Sequence, residues 1–146
     1  MAFTVEYALM AGRAYQTTRD DDQINWFPIP QGWSELAHVP NNPAFPQFSG
    51  ADGFEAVAFQ KGSEIVISYA GTNPNDGIFP FPGPDNQANI GLATGVGADQ
   101  LRQAAEYYLQ VKAANPNVTV TFTGHSLGGG LAALMGAVFR QTGSDL

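Results

Sequence analysis

The chain has 146 residues, no cysteine, and 13 acidic against 6 basic side chains, a formal net charge of −7. Such a length suits a single domain over residues 1–146 that buries roughly two thirds of the surface its unfolded form exposes. Without cysteine, thiol catalysis, disulfide scaffolds and cysteine-based zinc sites are excluded, and the acidic balance opposes binding to phosphate backbones, so no nucleic acid is expected as a partner.

The first residues, Met1 to Glu6, offer neither a basic region nor an unbroken apolar run. No Sec-type signal is visible, and secretion stays open. No run of about 18 apolar residues occurs anywhere, which excludes a transmembrane helix. Between Thr4 and Tyr15 the positions Val5, Ala8, Leu9, Ala11, Gly12 and Tyr15 recur at three and four, the spacing of a short helix packed on one face. Asp20, Asp21 and Asp22 end it; three adjacent carboxylates diverge, so they read as a solvated turn rather than a calcium site. The stretch from Trp26 to Phe48 holds Pro28, Pro30, Pro40, Pro43 and Pro46 and should be extended or looped, with Trp33 to Val39 as its strand-like piece. His38 falls here and reads as a surface or loop histidine.

Phe54 to Gln60 and Glu64 to Ala70 read as two strands joined by a turn at Lys61, Gly62 and Ser63. The contiguous Ile65, Val66 and Ile67 point to a strand covered on both faces. From Gly71 to Gly97 the chain is rich in Gly, Pro, Asn and Asp, including Ile78-Phe79-Pro80-Phe81-Pro82. A stretch of that length is either a wall or lid of a site, or a packed surface excursion. Asp99 can cap a helix from Gln100 to Ala114, with Leu101, Ala104, Ala105, Tyr108, Val111 and the stem of Lys112 as its inner stripe and Asn115-Pro116 as its stop. Val118 to Thr123 is a strand by composition, and Leu131 to Arg140 a helix. Alternating strand and helix predict an α/β sheet with parallel pairing. No internal repeat or interdomain linker is visible.

Between the last strand and helix stands Gly124-His125-Ser126-Leu127-Gly128, the G-x-S-x-G spacing of a nucleophile elbow. Such a turn strains the serine backbone and presses strand against helix, so the flanking positions must lack a Cβ. It lifts the serine hydroxyl to the carboxyl end of the strand, beside helix N–H groups able to stabilise an oxyanion. Gly129 and Gly130 extend the small-residue surface. The plain alternative is a glycine-rich turn with an idle serine.

Gly124 through Ala132 resembles the elbow of the class 3 (fungal-type) lipases of the α/β-hydrolase superfamily, and Tyr69-Ala70-Gly71-Thr72-Asn73 resembles their second motif, an Arg-Gly-Ser/Thr element. Ala70 stands where the family has arginine, while Gly71 and Thr72 match. Asp85 to Ile90 is similar to a stretch in bacterial members, and the resemblance covers most of residues 54–140. It implies an α/β-hydrolase fold, a mostly parallel sheet with flanking helices, and a serine carboxyl-ester hydrolase of triacylglycerol-lipase type working through an acyl-enzyme. By the same resemblance Ser126 is the nucleophile, and the backbone N–H groups of Leu127 and Thr72, with the Thr72 hydroxyl, form the oxyanion hole. The substrate would be an acyl ester or lipid, with no metal and no cofactor.

A serine nucleophile needs a base, and the base an orienting carboxylate; in α/β-hydrolases both follow the serine. After Ser126 the chain has no histidine, and Asp145 is its only carboxylate. His125 should point away from the hydroxyl, as a packing or hydrogen-bonding residue. The catalytic acid and histidine are thus expected to be absent from this chain, with the C-terminal part of the fold missing and about another hundred residues needed to supply it. The strand from Val118 to Thr123 would then be an open edge, to be covered by a partner chain, an oligomer or a longer protein. The alternative function is a non-catalytic interaction module, or half of a split hydrolase.

Overall fold

Gly62 and Ser63 alone connect β2 (Ala56–Lys61) to β3 (Glu64–Tyr69), and Gly62 takes the positive φ of +59° that a two-residue hairpin turn demands. So short a link permits only antiparallel pairing, and the ladder runs from Lys61 opposite Glu64 to Ala56 opposite Tyr69. The computed structural model describes residues 2–15, 27–40, 42–48, 54–70, 97–125 and 127–139. The remaining elements are α1 (Thr4–Arg13), β1 (Ser34–Val39), α2 (Gly97–Ala114), β4 (Thr119–Gly124) and α3 (Leu127–Phe139).

The four strands form one sheet in the order β1-β2-β3-β4. β1 and β2 are antiparallel, whereas β3 and β4 are parallel, from Glu64 opposite Thr119 to Tyr69 opposite Gly124. The fold is therefore a small α/β fold with a mixed sheet, which corrects the expectation of a mostly parallel one. The reason lies in the connections: among the described residues only β3 and β4 have a helix between them, the crossover that parallel pairing requires.

Both sheet faces are buried. Ala56, Ala58, Ile65, Ile67 and Tyr69 pack against α2 and α3 through Tyr107, Val111, Leu131 and Met135. Val57, Phe59 and Val66 pack on the other face with Met10, Ala14 and Trp33. The alternation along β2 and β3 follows from the period of two in a strand, and the complete burial of Ile65, Val66 and Ile67 accords with a strand covered on both sides.

Two helices differ from their expected form. α2 begins at Gly97, two residues before Asp99, so Asp99 falls inside the first turn and not at the cap. Its inner face also includes Tyr107, fully buried, whose hydroxyl donates to the Ala37 carbonyl at 2.9 Å. α1 presses Tyr7, Met10 and Ala14 toward β3 and β4, while Val5 is 66% exposed and Ala8 is exposed too. An alanine-rich helix carries two apolar stripes, and the one that enters the core is set by Met10, the larger side chain. No helix among the described residues is long and apolar enough to cross a membrane.

Candidate active site

β4 ends at Gly124 and α3 begins at Leu127, so the link between them is two residues, His125 and Ser126. A Cβ on Gly124 would fall into the backbone carbonyl of Gly128, and one on Gly128 into the carbonyl of Tyr69, with the Ala70 carbonyl carbon 2.9 Å away. The obstacles are backbone atoms, which cannot swing aside, so both positions require glycine. The first turn of α3 is thereby seated on the end of β3. Gly128 N–H donates to the His125 carbonyl at 3.0 Å, closing that turn. The leading N–H groups of a helix lack intrahelical partners and carry its positive dipole end, a natural seat for an anion. A Cβ on Gly129 would lie 3.2 Å from the Gly124 oxygen, whereas one on Gly130 would meet open space. The close approach thus ends at Gly129.

Ser126 and Thr72 lie outside the described residues, as do Asp20 to Asp22, Gly71 to Val96 and Asp145. What is described is their frame: His125 and Leu127 flank Ser126, and β3 delivers Ala70, two residues before Thr72, to the first turn of α3.

A residue that the sequence marked only as part of a helical stripe joins this frame. The Tyr15 hydroxyl donates to the His125 carbonyl at 3.0 Å, and the Tyr15 and His125 rings meet edge to face at 6.3 Å. His125 is exposed and packs as an aromatic partner. Beside this contact opens a cavity of about 590 Å³ between α1 and the carboxyl end of β4, reaching Gly124 and His125. Ala8, Ala11 and Gly12 of α1, with Tyr15 just beyond its end, line it. The predicted apolar stripe is thus divided: Ala8, Ala11, Gly12 and Tyr15 border the cavity, Tyr15 also packs against the sheet-face core, and Val5 is exposed.

His38 is not a loop or surface histidine. It sits on β1 with its side chain 19% exposed, its Nδ1 2.7 Å from Glu35 Oε1, and its Nε2 3.9 Å from Glu55 Oε2. Nε2 also lies 3.3 Å from the Ala14 carbonyl at the end of α1. Arg13 donates to Glu35 at 3.1 Å and to the Phe27 carbonyl at 3.2 Å. The hydrogen bond from His38, followed by that from Arg13, holds the Glu35 carboxyl below the usual carboxylate range against the opposing effect of burial. β1 and β4 are the first and last strands of the sheet order, so this cluster sits across the sheet from the elbow and fastens α1 to β1. Among the described residues no group of three or more His, Asp or Glu is placed to hold a metal ion.

Residues 6–144 match a family model described as phospholipase-like, the Tle-like phospholipase domain. No curated protein matches the chain.

Proposed function

The chain belongs to the Tle-like phospholipase domain family, and from that premise we propose that it is a serine carboxyl-ester hydrolase acting on lipid acyl esters through Ser126. A lipid-ester hydrolase character comes with the family; the serine mechanism, the class 3 lipase kinship and the α/β-hydrolase architecture are the finer parts of the proposal. The observation that carries it is the close approach of Gly128 to both Gly124 and Tyr69, which seats the amino end of α3 on the ends of β4 and β3. That is the construction a strand-to-helix nucleophile turn needs.

In this reading the Ser126 oxygen attacks the ester carbonyl, the bond to the leaving alcohol breaks, and the serine proton passes to that alcohol. Charge develops on the carbonyl oxygen, where the Leu127 N–H and the Thr72 N–H and hydroxyl receive it. Each such donor contributes about 3 kcal/mol to the barrier reduction. Water then releases the acyl group by the reverse sequence. The base and its carboxylate are not assigned to any residue of this chain. The family's description as phospholipase-like supports phospholipid as the substrate class.

The test is reaction with a fluorophosphonate probe, with the adduct located by peptide mass spectrometry. A single adduct on the peptide holding Ser126, lost in Ser126→Ala, supports the serine mechanism; an unmodified serine at saturating probe overturns it.

A second reading, an interaction module that accepts a strand from a partner or a second copy, is favoured by one observation. Among the described residues β4 is paired only with β3, leaving its other edge open at the end of the sheet. Concentration-dependent self-association in sedimentation, abolished by a proline in β4 at Val120, would support it; a monomer at all concentrations would favour the hydrolase alone.

A further inference from the structure

We propose that His38, although it lies on the far strand of the sheet, is a positioning residue for the turn that holds Ser126, acting through the peptide between Ala14 and Tyr15 at the carboxyl end of α1. Its bearing on catalysis rests on the serine-hydrolase reading; the mechanical coupling does not.

Sheet register sets the problem. Val39, Ala56, Tyr69 and Gly124 stand opposite one another in turn, so β1, β3 and β4 end in one row. His38 precedes the first residue of that row and His125 follows the last. Three strand spacings separate them, about 14 Å, too far for direct contact. The end of α1 spans the gap. Ala14, its C-cap, is fully buried, and the last carbonyls of a helix have no partner within it. His38 Nε2 lies 3.3 Å from the Ala14 carbonyl. At the other end of the same peptide, the Tyr15 N–H donates to the Gly12 carbonyl at 3.3 Å. The peptide is thus held at its oxygen by β1 and at its nitrogen by the helix, which fixes the direction in which the Tyr15 side chain leaves the backbone. The hydroxyl of that side chain donates to the His125 carbonyl, the oxygen of the peptide that joins His125 to Ser126.

Ring chemistry identifies the contact that matters. A carboxylate and a carbonyl only accept, so the contacts of Nδ1 with Glu35, at 2.7 Å, and of Nε2 with Ala14 are both hydrogen bonds in the imidazolium, a cation that the carboxyl end of a helix favours. The second carboxylate oxygen, Glu55 Oε2, is 3.9 Å from Nε2, beyond hydrogen-bond length, so Ala14 is the group that Nε2 holds. Arg13 pins the helix to Glu35, and His38 fixes the peptide one residue further on.

Two variants separate the contacts. The carboxamide nitrogen of asparagine stands in for Nδ1 and that of glutamine for Nε2, so His38→Asn keeps the Glu35 bond and loses the Ala14 bond, and His38→Gln does the reverse. Amide hydrogen exchange of the full chain reads the turn at Gly128, whose N–H donates to the His125 carbonyl, with the β3 amides as the reference for global opening. Relative to β3, His38→Asn should speed Gly128 exchange about fivefold, the contribution of one hydrogen bond, and His38→Gln should leave it unchanged. Fluorophosphonate modification of Ser126 should slow about fivefold in His38→Asn, stay unchanged in His38→Gln, and slow no further when His38→Asn is added to Tyr15→Phe. Coupling is reciprocal, so Tyr15→Phe alone, the loss of one hydroxyl, should speed exchange of the His38 Nε2 proton followed by NMR, an arm that needs no change at the buried cluster. Equal effects of His38→Asn and His38→Gln on Gly128, additive slowing in the double variant, or an unchanged His38 proton in Tyr15→Phe would overturn the proposal. A chain that the probe never modifies removes the serine mechanism and leaves the two exchange measurements to decide the coupling.

Discussion

The hydroxyl of Tyr15 and the amide of Gly128 both donate to the carbonyl of His125, at 3.0 Å each. One bond comes from α1 and the other from the turn itself, so the peptide preceding Ser126 is fixed from two directions. Tyr15→Phe removes only the first. It should cost about 1 kcal/mol of stability and slow fluorophosphonate modification of Ser126 about tenfold, because the reacting oxygen no longer sits in a fixed frame. A purely structural role would lower the urea midpoint and leave the modification rate unchanged.

Gly128 and Gly130 are two residues apart and should respond oppositely to alanine. At Gly128 the added methyl meets the Tyr69 carbonyl, a backbone atom tied into the sheet. Overpacking of this kind costs about 3 kcal/mol. At Gly130, on the same helix, nothing lies within 4 Å, and alanine should stabilise by about 0.5–1 kcal/mol through helix propensity. Urea unfolding of the two variants measures both signs at once.

Glu35 ties stability to pH. Its carboxyl is held below the ordinary range by the hydrogen bond from His38 and then by Arg13, so its contribution is fully present above the unfolded carboxylate pKa. It is lost as pH falls through the lowered folded value. Glu55 and Tyr107 also face this cluster, and Tyr107, pushed well above its ordinary value by burial, stays neutral across this range. The urea midpoint of the unaltered chain should fall between pH 5 and pH 3, and Glu35→Gln should flatten that slope while lowering stability at pH 7. An unchanged acid limb in Glu35→Gln would remove Glu35 as its source.

Local pattern made the β2–β3 hairpin, β4, α2 and the elbow glycines legible. Gly62, Asn115-Pro116 and the Gly124 to Gly128 spacing are each a local steric demand, and such demands survive folding. Strand direction was less legible, because the alternation of strand and helix holds only from β3 through α2 to β4, while the short hairpin turns the sheet antiparallel. Trp33 to Val39 was recognised as a strand, but the burial of His38 beside Glu35 and Glu55 was not: the register shift between Leu36 and Val39, with Ala37 at φ +53°, redirects side chains in a way no alternation encodes. On α1 the period of the apolar stripe was legible, but not that Met10 enters the core while Val5 stands exposed, since spacing alone does not choose between two apolar faces of one helix. Thr72 and Ser126 rest on motif and neighbours alone.

The central claim is acyl transfer to Ser126, and its most direct measurement is the mass of the intact chain after mixing with p-nitrophenyl butyrate. One butyryl group on the peptide holding Ser126, matched by one equivalent of p-nitrophenolate and absent from Ser126→Ala, is the predicted result. A chain that neither carries the butyryl group nor releases p-nitrophenolate, or an acyl group that persists unchanged in Ser126→Ala, would contradict it.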